Sequence, residues 1–332
     1  MKDIKKILAV NFGGIGDEIL FMPVLRSLKS KFPDAKVTLC LEPRSKSIVN
    51  LCKDIDDVIC ADIKSNSKYF ELLKFYFKAL FGGYDIVVSS GSNKLIPVLL
   101  FFTGIKNRIG YNCGGFTAKL LTTAVELNKH QYAGRMYHDL VAELTGKPYE
   151  NPKIEVEKSD LTEGLILVHP GVSKMSIRKN IIKSYENYKW AELVEMLLNS
   201  GEKVALAGGP DDDECISEIL SHLKDKDTTN LHNFYGKTKN ILELAELMAG
   251  AKAVICCDSA PMHISVAVGA STIALFGPTD EKKLIPEKDN IFVIKADCEC
   301  RPCLWDKRSV SCDDKFCLNY SNEQIVEIVK SL

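Results

Sequence analysis

The stretch Ile7-Leu8-Ala9-Val10-Asn11-Phe12-Gly13-Gly14-Ile15-Gly16-Asp17 runs from an apolar strand directly into a glycine-dense turn that ends on a carboxylate. Gly13, Gly14 and Gly16 let the backbone bend sharply and approach another group. Asp17 then has two roles open to it: cap of the following helix, or base acting on a substrate hydroxyl. Beyond it Leu20, Val24, Leu25 and Leu28 fall at helical spacing, and Pro23 marks either a helix start or a local kink. Strand, tight turn and helix in that order make the first unit of an alternating α/β chain.

The same alternation continues outward. Val37 to Leu41, Val58 to Cys60, Tyr84 to Ser89 and Lys106 to Gly110 read as further strands, and Tyr132 to Thr145 as a helix with Met136, Leu140 and Leu144 on one side. Gly146-Lys147-Pro148 and Asn151-Pro152 then change the composition, which puts a boundary between residues 150 and 151. From Leu165 the pattern restarts with Leu165 to Val168, Val204 to Ala207, Ala253 to Cys256 and Thr272 to Leu275. Each run is followed by Gly, Pro, Ser or Asp, as expected at the carboxyl edge of an open parallel sheet where ligands meet loops. Residues 321–332 form a last helix, with Ser321 or Asn322 at its start and Ile325, Ile328, Val329 and Leu332 on a face that must dock on one half or the other.

Composition narrows the class. With 332 residues, 46% apolar and 26% charged, and a formal charge of −1, the chain reads as compact, with no basic balance favouring nucleic acid. Ile7 to Val10 is too short for a secretory h-region, so the expected compartment is the cytoplasm. Leu95 to Thr103 is too short to span a bilayer and reads as a buried helix or an interfacial patch. Tyr69 to Phe81, broken by Lys74 and Lys78, adds a greasy helix suited to peripheral contact with the membrane's inner face.

Several further motifs recur in a fixed order: His169-Pro170-Gly171 followed by Lys183 and Trp190, then Asp258-Ser259-Ala260-Pro261-Met262-His263, then Leu275-Phe276-Gly277-Pro278-Thr279-Asp280. With Phe12 to Asp17 they make nearly the whole chain resemble the bacterial heptosyltransferases, glycosyltransferase family 9. The resemblance implies an α/β chain of GT-B architecture, two Rossmann-like domains facing a central cleft. Residues 1–150 would bind the acceptor and 151–320 the nucleotide-sugar donor. It also implies an inverting transfer without a catalytic metal, from ADP-heptose or a related donor to a lipopolysaccharide-core or other surface-glycan acceptor.

Residue by residue, the resemblance makes Asp17 the general base and Lys183 the cation facing the leaving diphosphate. Tyr185 stands where the family has tryptophan and Glu186 where it often has proline, so Lys174, Lys179 and Lys189 are alternatives to Lys183. Ser173 after the His169-Pro170-Gly171 turn, and Gly208-Gly209 after the next strand, are placed to shape a phosphate site or simply to form turns. Neither is a Walker loop. Gly236, Lys237, Thr238 and Glu243 resemble the segment around the donor base and ribose, although Glu243 also suits a helix's first turn. Asp258, Ser259, Met262 and His263 resemble the donor-sugar site; read locally, Asp258 is a cap and His263 a structural histidine. Asp211-Asp212-Asp213 reads as a cap or a solvated run rather than a magnesium anchor.

Cys40, Cys60, Cys256 and Cys257 lie in apolar strands as ordinary buried thiols. Cys298, Cys300, Cys303, Cys312 and Cys317 crowd a polar tail and admit three states: structural zinc, free thiols or a disulfide. Three function classes meet this sequence: an active glycosyltransferase, a silent nucleotide-sugar-binding protein and a glycan-assembly scaffold. The order of the chemical motifs favours the enzyme.

Overall fold

The computed structural model describes residues 3–178, 181–304, 312 and 315–332. The chain divides into two compact units, Met1–Lys153 and Ile154–Leu332.

The first unit runs β1 (Lys6–Val10), α1 (Ile15–Lys31), β2 (Lys36–Leu41), β3 (Asp57–Cys60), α2 (Lys68–Phe81), β4 (Ile86–Ser89), α3 (Leu95–Phe102), β5 (Asn107–Tyr111), α4 (Gly115–Ala118), β6 (Thr123–Val125) and α5 (Ala133–Thr145). Its sheet is parallel, in the order β3-β2-β1-β4-β5-β6. β1 lies at the centre, with Ile7 opposite Val37 on one side and Ile86 on the other. Ile7 to Val10 are wholly buried, which explains why the strand is a continuous apolar run rather than an alternating one. Leu8 and Val10 pack under Phe75 and Ala79 of α2 and Ile96 and Leu100 of α3. Alternation leaves Ile7 and Ala9 to the opposite face, where α1 packs along α5.

The second unit runs β7 (Leu165–His169), α6 (Lys174–Arg178), α7 (Asn187–Asn199), β8 (Lys203–Leu206), α8 (Asp213–His222), β9 (Leu231–Asn233), α9 (Ile241–Gly250), β10 (Ala253–Cys257), α10 (Ala260–Val268), β11 (Thr272–Phe276), α11 (Glu281–Leu284), β12 (Ile291–Lys295) and α12 (Asn322–Ser331). This sheet is also parallel, in the order β12-β11-β10-β7-β8-β9. Each sheet therefore collects all of its strand-to-helix turns on one edge.

The structure sharpens several expectations. Pro23 neither starts nor ends α1: the helix runs through it, with Ile19 to Leu25 buried. The last helix docks on the second unit, against α7, with Ser321 as its cap: the Ser321 hydroxyl accepts from the Gln324 N–H and donates to the Glu323 carboxylate at 2.8 Å. Leu95 to Phe102 is neither wholly buried nor wholly exposed, since Ile96, Pro97 and Leu100 face inward while Leu95, Phe101 and Phe102 face out. Among the described residues no helix is long and apolar enough to cross a membrane. Three edge strands, β6, β9 and β12, were not expected.

Ile325 and Val329 of α12 are fully buried in the core that also holds Trp190 and Leu193 of α7. Ile325→Ala should destabilise the second unit by about 2–5 kcal/mol, read as a lower urea midpoint for that unit's transition.

Candidate functional site

In the first unit the glycine turn delivers Asp17 to the start of α1. Gly14 is the N-cap, and its N–H donates to Asp17 Oδ2 at 2.8 Å, so Asp17 caps the helix it belongs to. A side chain at Gly13 would put its Cβ 2.2 Å from the Asp17 Cβ, a clash that makes glycine obligatory there. The turn is fixed from below: the Ser45 hydroxyl donates to the Gly13 carbonyl at 2.9 Å and the Lys64 ammonium to the Phe12 carbonyl at 3.2 Å.

Groups that local sequence reading passed over surround Asp17. Glu42, almost wholly buried, is paired with Arg44 at 2.6 Å and Lys64 at 2.8 Å. The Arg44 guanidinium lies about one van der Waals contact from where a side chain at Gly14 would stand. The Tyr137 hydroxyl is pushed well up, first by burial and then by the neighbouring Asp17 carboxylate. Each of these residues is distant from Asp17 in sequence, or sits in a run with no motif of its own. The one usable signal was Lys64, which follows the end of β3 at the same sheet edge.

In the second unit the turns after β11, β10, β7, β8 and β9 line up along one edge. Asp258 follows β10 and is 2% exposed. Lys183 Nζ stands 2.9 Å from its Oδ2, close enough for an ion pair although not in hydrogen-bond alignment. Burial alone would push the Asp258 carboxyl up; the charge of Lys183, the Thr279 hydroxyl and His263 outweigh it and hold the carboxyl below the usual carboxylate range. Two motifs far apart in the chain thus meet at one charge pair.

Lys183 is held by its neighbours. Ser184 Oγ donates to the Pro170 carbonyl at 3.2 Å and accepts from the Trp190 indole at 2.9 Å. Tyr185 is buried edge-on against Trp190 and Tyr320, and its hydroxyl donates to Asn322 at 3.0 Å. The tyrosine that departs from the family's tryptophan is therefore a core residue that pins the lysine's loop. The alternative lysines are engaged elsewhere: Lys174 with Asp211 at 3.5 Å and Lys189 with Glu186 at 3.8 Å, while Lys179 lies outside the described residues.

The remaining expected residues separate into local and shared roles. Ser173 accepts from the Ser176 N–H at 3.3 Å and so shapes the start of α6. The Gly209 N–H donates to Asp212 at 2.8 Å, and a Cβ on Gly171 would fall 1.9 Å from an Asp212 carboxylate oxygen. Asp212 is thus a buried cap packed beneath two glycine turns, not a solvated acid. Gly208 leads into the same turn. Gly236 takes a left-handed φ of 69°, Lys237 covers the Phe234 ring, and Thr238 follows in the turn before α9. Glu243 accepts from the Lys239 N–H at 2.8 Å, so its visible role is to order the start of its own helix. Ser259 caps α10 and reaches toward the Gly171 carbonyl at 3.5 Å. The Met262 side chain is wholly buried, which leaves it no exposed surface for a ligand, whereas buried His263 acts on the Asp258 carboxyl.

Among the described residues, His169 Nδ1 and Asp258 Oδ2 are buried on this edge without an aligned hydrogen-bond partner. Such orphans fit a polar ligand. Thr279 itself is positioned from the tail: Arg301 donates to the Gly277 carbonyl at 2.6 Å and the Thr279 carbonyl at 3.2 Å, and pairs with Glu281 at 3.2 Å.

Cys298, Cys300, Cys303, Cys312 and Cys317 are free, and among the described residues no group of three His, Cys, Asp or Glu side chains is arranged to hold a metal ion. Among the described residues the structural-zinc reading finds no ligand set. Cys298 and Cys300 approach to 3.6 Å, and burial followed by the neighbouring thiols pushes Cys317 up to about 11, so it stays a thiol at neutral pH.

Comparison with known proteins agrees with this fold. Residues 75–312 match glycosyltransferase family 9 (heptosyltransferase). The lipooligosaccharide heptosyltransferase 2 of Haemophilus influenzae is 26% identical over 309 residues, covering 87% of this chain and 88% of the relative. The lipopolysaccharide heptosyltransferase 3 of Escherichia coli K12 is 25% identical over 297 residues, 83% of each chain. Among solved structures, a family 9 glycosyl transferase from Veillonella parvula superposes with a TM-score of 0.80 at 20% identity, over 100% of this chain and 98% of the other. The ADP-heptose lipopolysaccharide heptosyltransferase II of E. coli does so with a TM-score of 0.75, also at 20% identity, over 98% of each. The fold is GT-B, with two Rossmann-like domains.

The buried pair yields a pH-dependent prediction. Because the Asp258 carboxyl is held below its unfolded value, its contribution to stability is present above about pH 4 and is lost as pH falls through the depressed folded-state value. Lys183→Met strands the carboxylate and should cost about 3–5 kcal/mol at neutral pH. Urea unfolding across a pH series should show that deficit shrinking in acid.

Proposed function

The chain belongs to glycosyltransferase family 9, and from that premise we propose that it is an inverting glycosyltransferase moving a heptose or related sugar from a nucleotide-sugar donor, ADP-heptose first among candidates, to a surface-glycan acceptor. The observation that carries this reading is the buried Lys183–Asp258 pair, assembled at 2.9 Å from two separate motifs on a carboxyl sheet edge. Relatives named as lipopolysaccharide and lipooligosaccharide heptosyltransferases support the donor and acceptor class.

In this mechanism Asp17 accepts the proton of an acceptor hydroxyl as that oxygen attacks the anomeric carbon. The bond to the diphosphate breaks on the opposite face, so the anomeric configuration inverts. Negative charge grows on the leaving diphosphate, where Lys183 and the backbone amides of the glycine turns stabilise it more in the transition state than before. Asp258 orients Lys183 and receives donor hydroxyls. Arg44 and Lys64, at the turn that carries Asp17, offer positive charge to an acidic acceptor. No metal is invoked for the leaving group, and the reaction is assigned to the cytoplasm.

Asp17→Asn keeps an oxygen for the Gly14 N–H but loses the base. It should lower kcat by about 10²–10⁴-fold while donor affinity, measured by calorimetry, stays within a fewfold of wild type, if general-base catalysis has its usual size. Activity should survive EDTA. Product NMR showing a retained anomeric configuration would overturn inversion, and a preference for UDP-sugars in a donor panel would overturn the ADP-heptose assignment.

A further inference from the structure

We propose that the face of the first unit formed by α2, α3 and α4 docks on an anionic phospholipid bilayer. The helices contact one another in that order, α2 with α3 and α3 with α4, so their outer sides are contiguous. α2 already buries Phe75 and Ala79 against the sheet. Its other side nevertheless carries Tyr69, Phe70, Phe77 and Phe81, the last 79% exposed. Phe102 at the end of α3 and Phe116 on α4 extend the same surface. Of the fourteen large hydrophobic side chains exposed among the described residues, nine fall between residues 69 and 116. Their concentration on three adjoining helices separates this surface from the scattered apolar residues of an ordinary protein exterior.

Charge selects the occupant. Residues 64–119 contain eight Lys or Arg against only Glu71 and Asp85, within a chain whose overall formal charge is −1. Both acids are engaged: Glu71 with Lys74 at 2.7 Å, and Asp85 with the backbone N–H groups of Lys5 and Lys6. The lysines are interleaved with the rings, Lys74 over Phe70 at 4.3 Å and Lys68 over Tyr69 at 5.1 Å. Aromatic bodies flanked by lysines whose stems lie along apolar surface are suited to the boundary between lipid headgroups and acyl chains. A second copy of the chain would bring two basic faces together and repel. An anionic headgroup layer satisfies the lysines and the rings at once.

The surface also reaches the catalytic turn within its own unit. Phe75 of α2 meets Phe12 edge-on at 6.0 Å, and Lys64, just before α2, holds the Phe12 carbonyl. A bilayer seated on α2 therefore lies beside the turn that presents Asp17, and a lipid-linked acceptor would arrive from that side. Only this last consequence rests on the proposed glycosyl transfer; the docking itself does not.

The test is cosedimentation of the full chain with vesicles of phosphatidylcholine alone and of phosphatidylcholine mixed with phosphatidylglycerol. Binding is expected to the mixed vesicles and to weaken with added salt. Lys68→Gln and Lys78→Gln should each reduce it about fivefold, the effect of removing one juxtamembrane charge. Phe70→Ser combined with Phe81→Ser, both at exposed positions, should abolish it while circular dichroism and donor binding remain those of wild type. No binding to the mixed vesicles, or equal binding by wild type and all variants, would overturn the proposal. So would self-association in solution that the double phenylalanine variant removes, because the face would then belong to a second copy. Vesicle binding is read without any transfer assay, so a failed activity measurement and a failed docking measurement stay distinct.

Discussion

A parallel strand cannot return to its neighbour through a hairpin; it needs a crossover, and every crossover leaves the sheet from the same edge. That constraint organises both halves of this protein. In the second unit it brings five turns into one row, so that Asp258 after β10, the loop of Lys183 beyond β7 and Thr279 after β11 become neighbours although the chain separates them widely. In the first unit it puts the Asp17 turn, the Glu42–Arg44 segment and Lys64 on one edge. Chemistry-bearing residues need not be close in sequence if each follows a strand.

Having collected polar groups at an edge, the fold must then keep them in place without water. Asp258 loses its hydration and is compensated by Lys183, which is itself restrained through Ser184, Tyr185 and Trp190. In the proposed transfer this restraint matters, because a flexible lysine would lose more conformational entropy on meeting a diphosphate. Arg301 performs a similar service for the turn of Gly277 and Thr279, tying it to the tail through two carbonyls and Glu281. The cysteines of the tail are thus attached to a segment that shapes the site, whatever their own chemistry.

The fold was legible where burial is complete. Ile7 to Val10, Leu165 to Val168 and Ala253 to Cys256 are covered on both faces, so their sequences are unbroken apolar runs bounded by turn residues. The edge strands were not legible for the opposite reason: Thr123-Ala124-Val125 and Leu231-His232-Asn233 are three residues long, and one side of each pairs with nothing in the sheet. In the candidate site, resemblance pointed to Asp17, Lys183 and Asp258 because each sits in a motif. It did not indicate that Tyr185 is a core prop, that Asp212 is buried beneath Gly171, or that Arg301 reaches back to the Thr279 turn. Those are tertiary facts, carried by contacts between turns of different strands, and local pattern contains no trace of them.

The adjacent carboxyls Asp17 and Glu18 show how one helix start can place two acids in different surroundings. Successive residues on a helix point about 100° apart, so while Asp17 faces the glycine turn, Glu18 enters the core. Glu18 is 1% exposed; burial pushes its carboxyl well up, only partly opposed by Asn11 and by the Gly13 N–H, which donates to it at 3.3 Å. Its second oxygen has no partner, an arrangement a neutral carboxyl tolerates far better than an anion. Burial thus favours the neutral form of Glu18, which lessens the negative charge set against Asp17. Had both residues faced the turn, their repulsion would have shifted one proton affinity against the other and fixed neither. Burying one of the pair leaves half-buried Asp17 as the member presented at the turn, the condition the proposed general base requires.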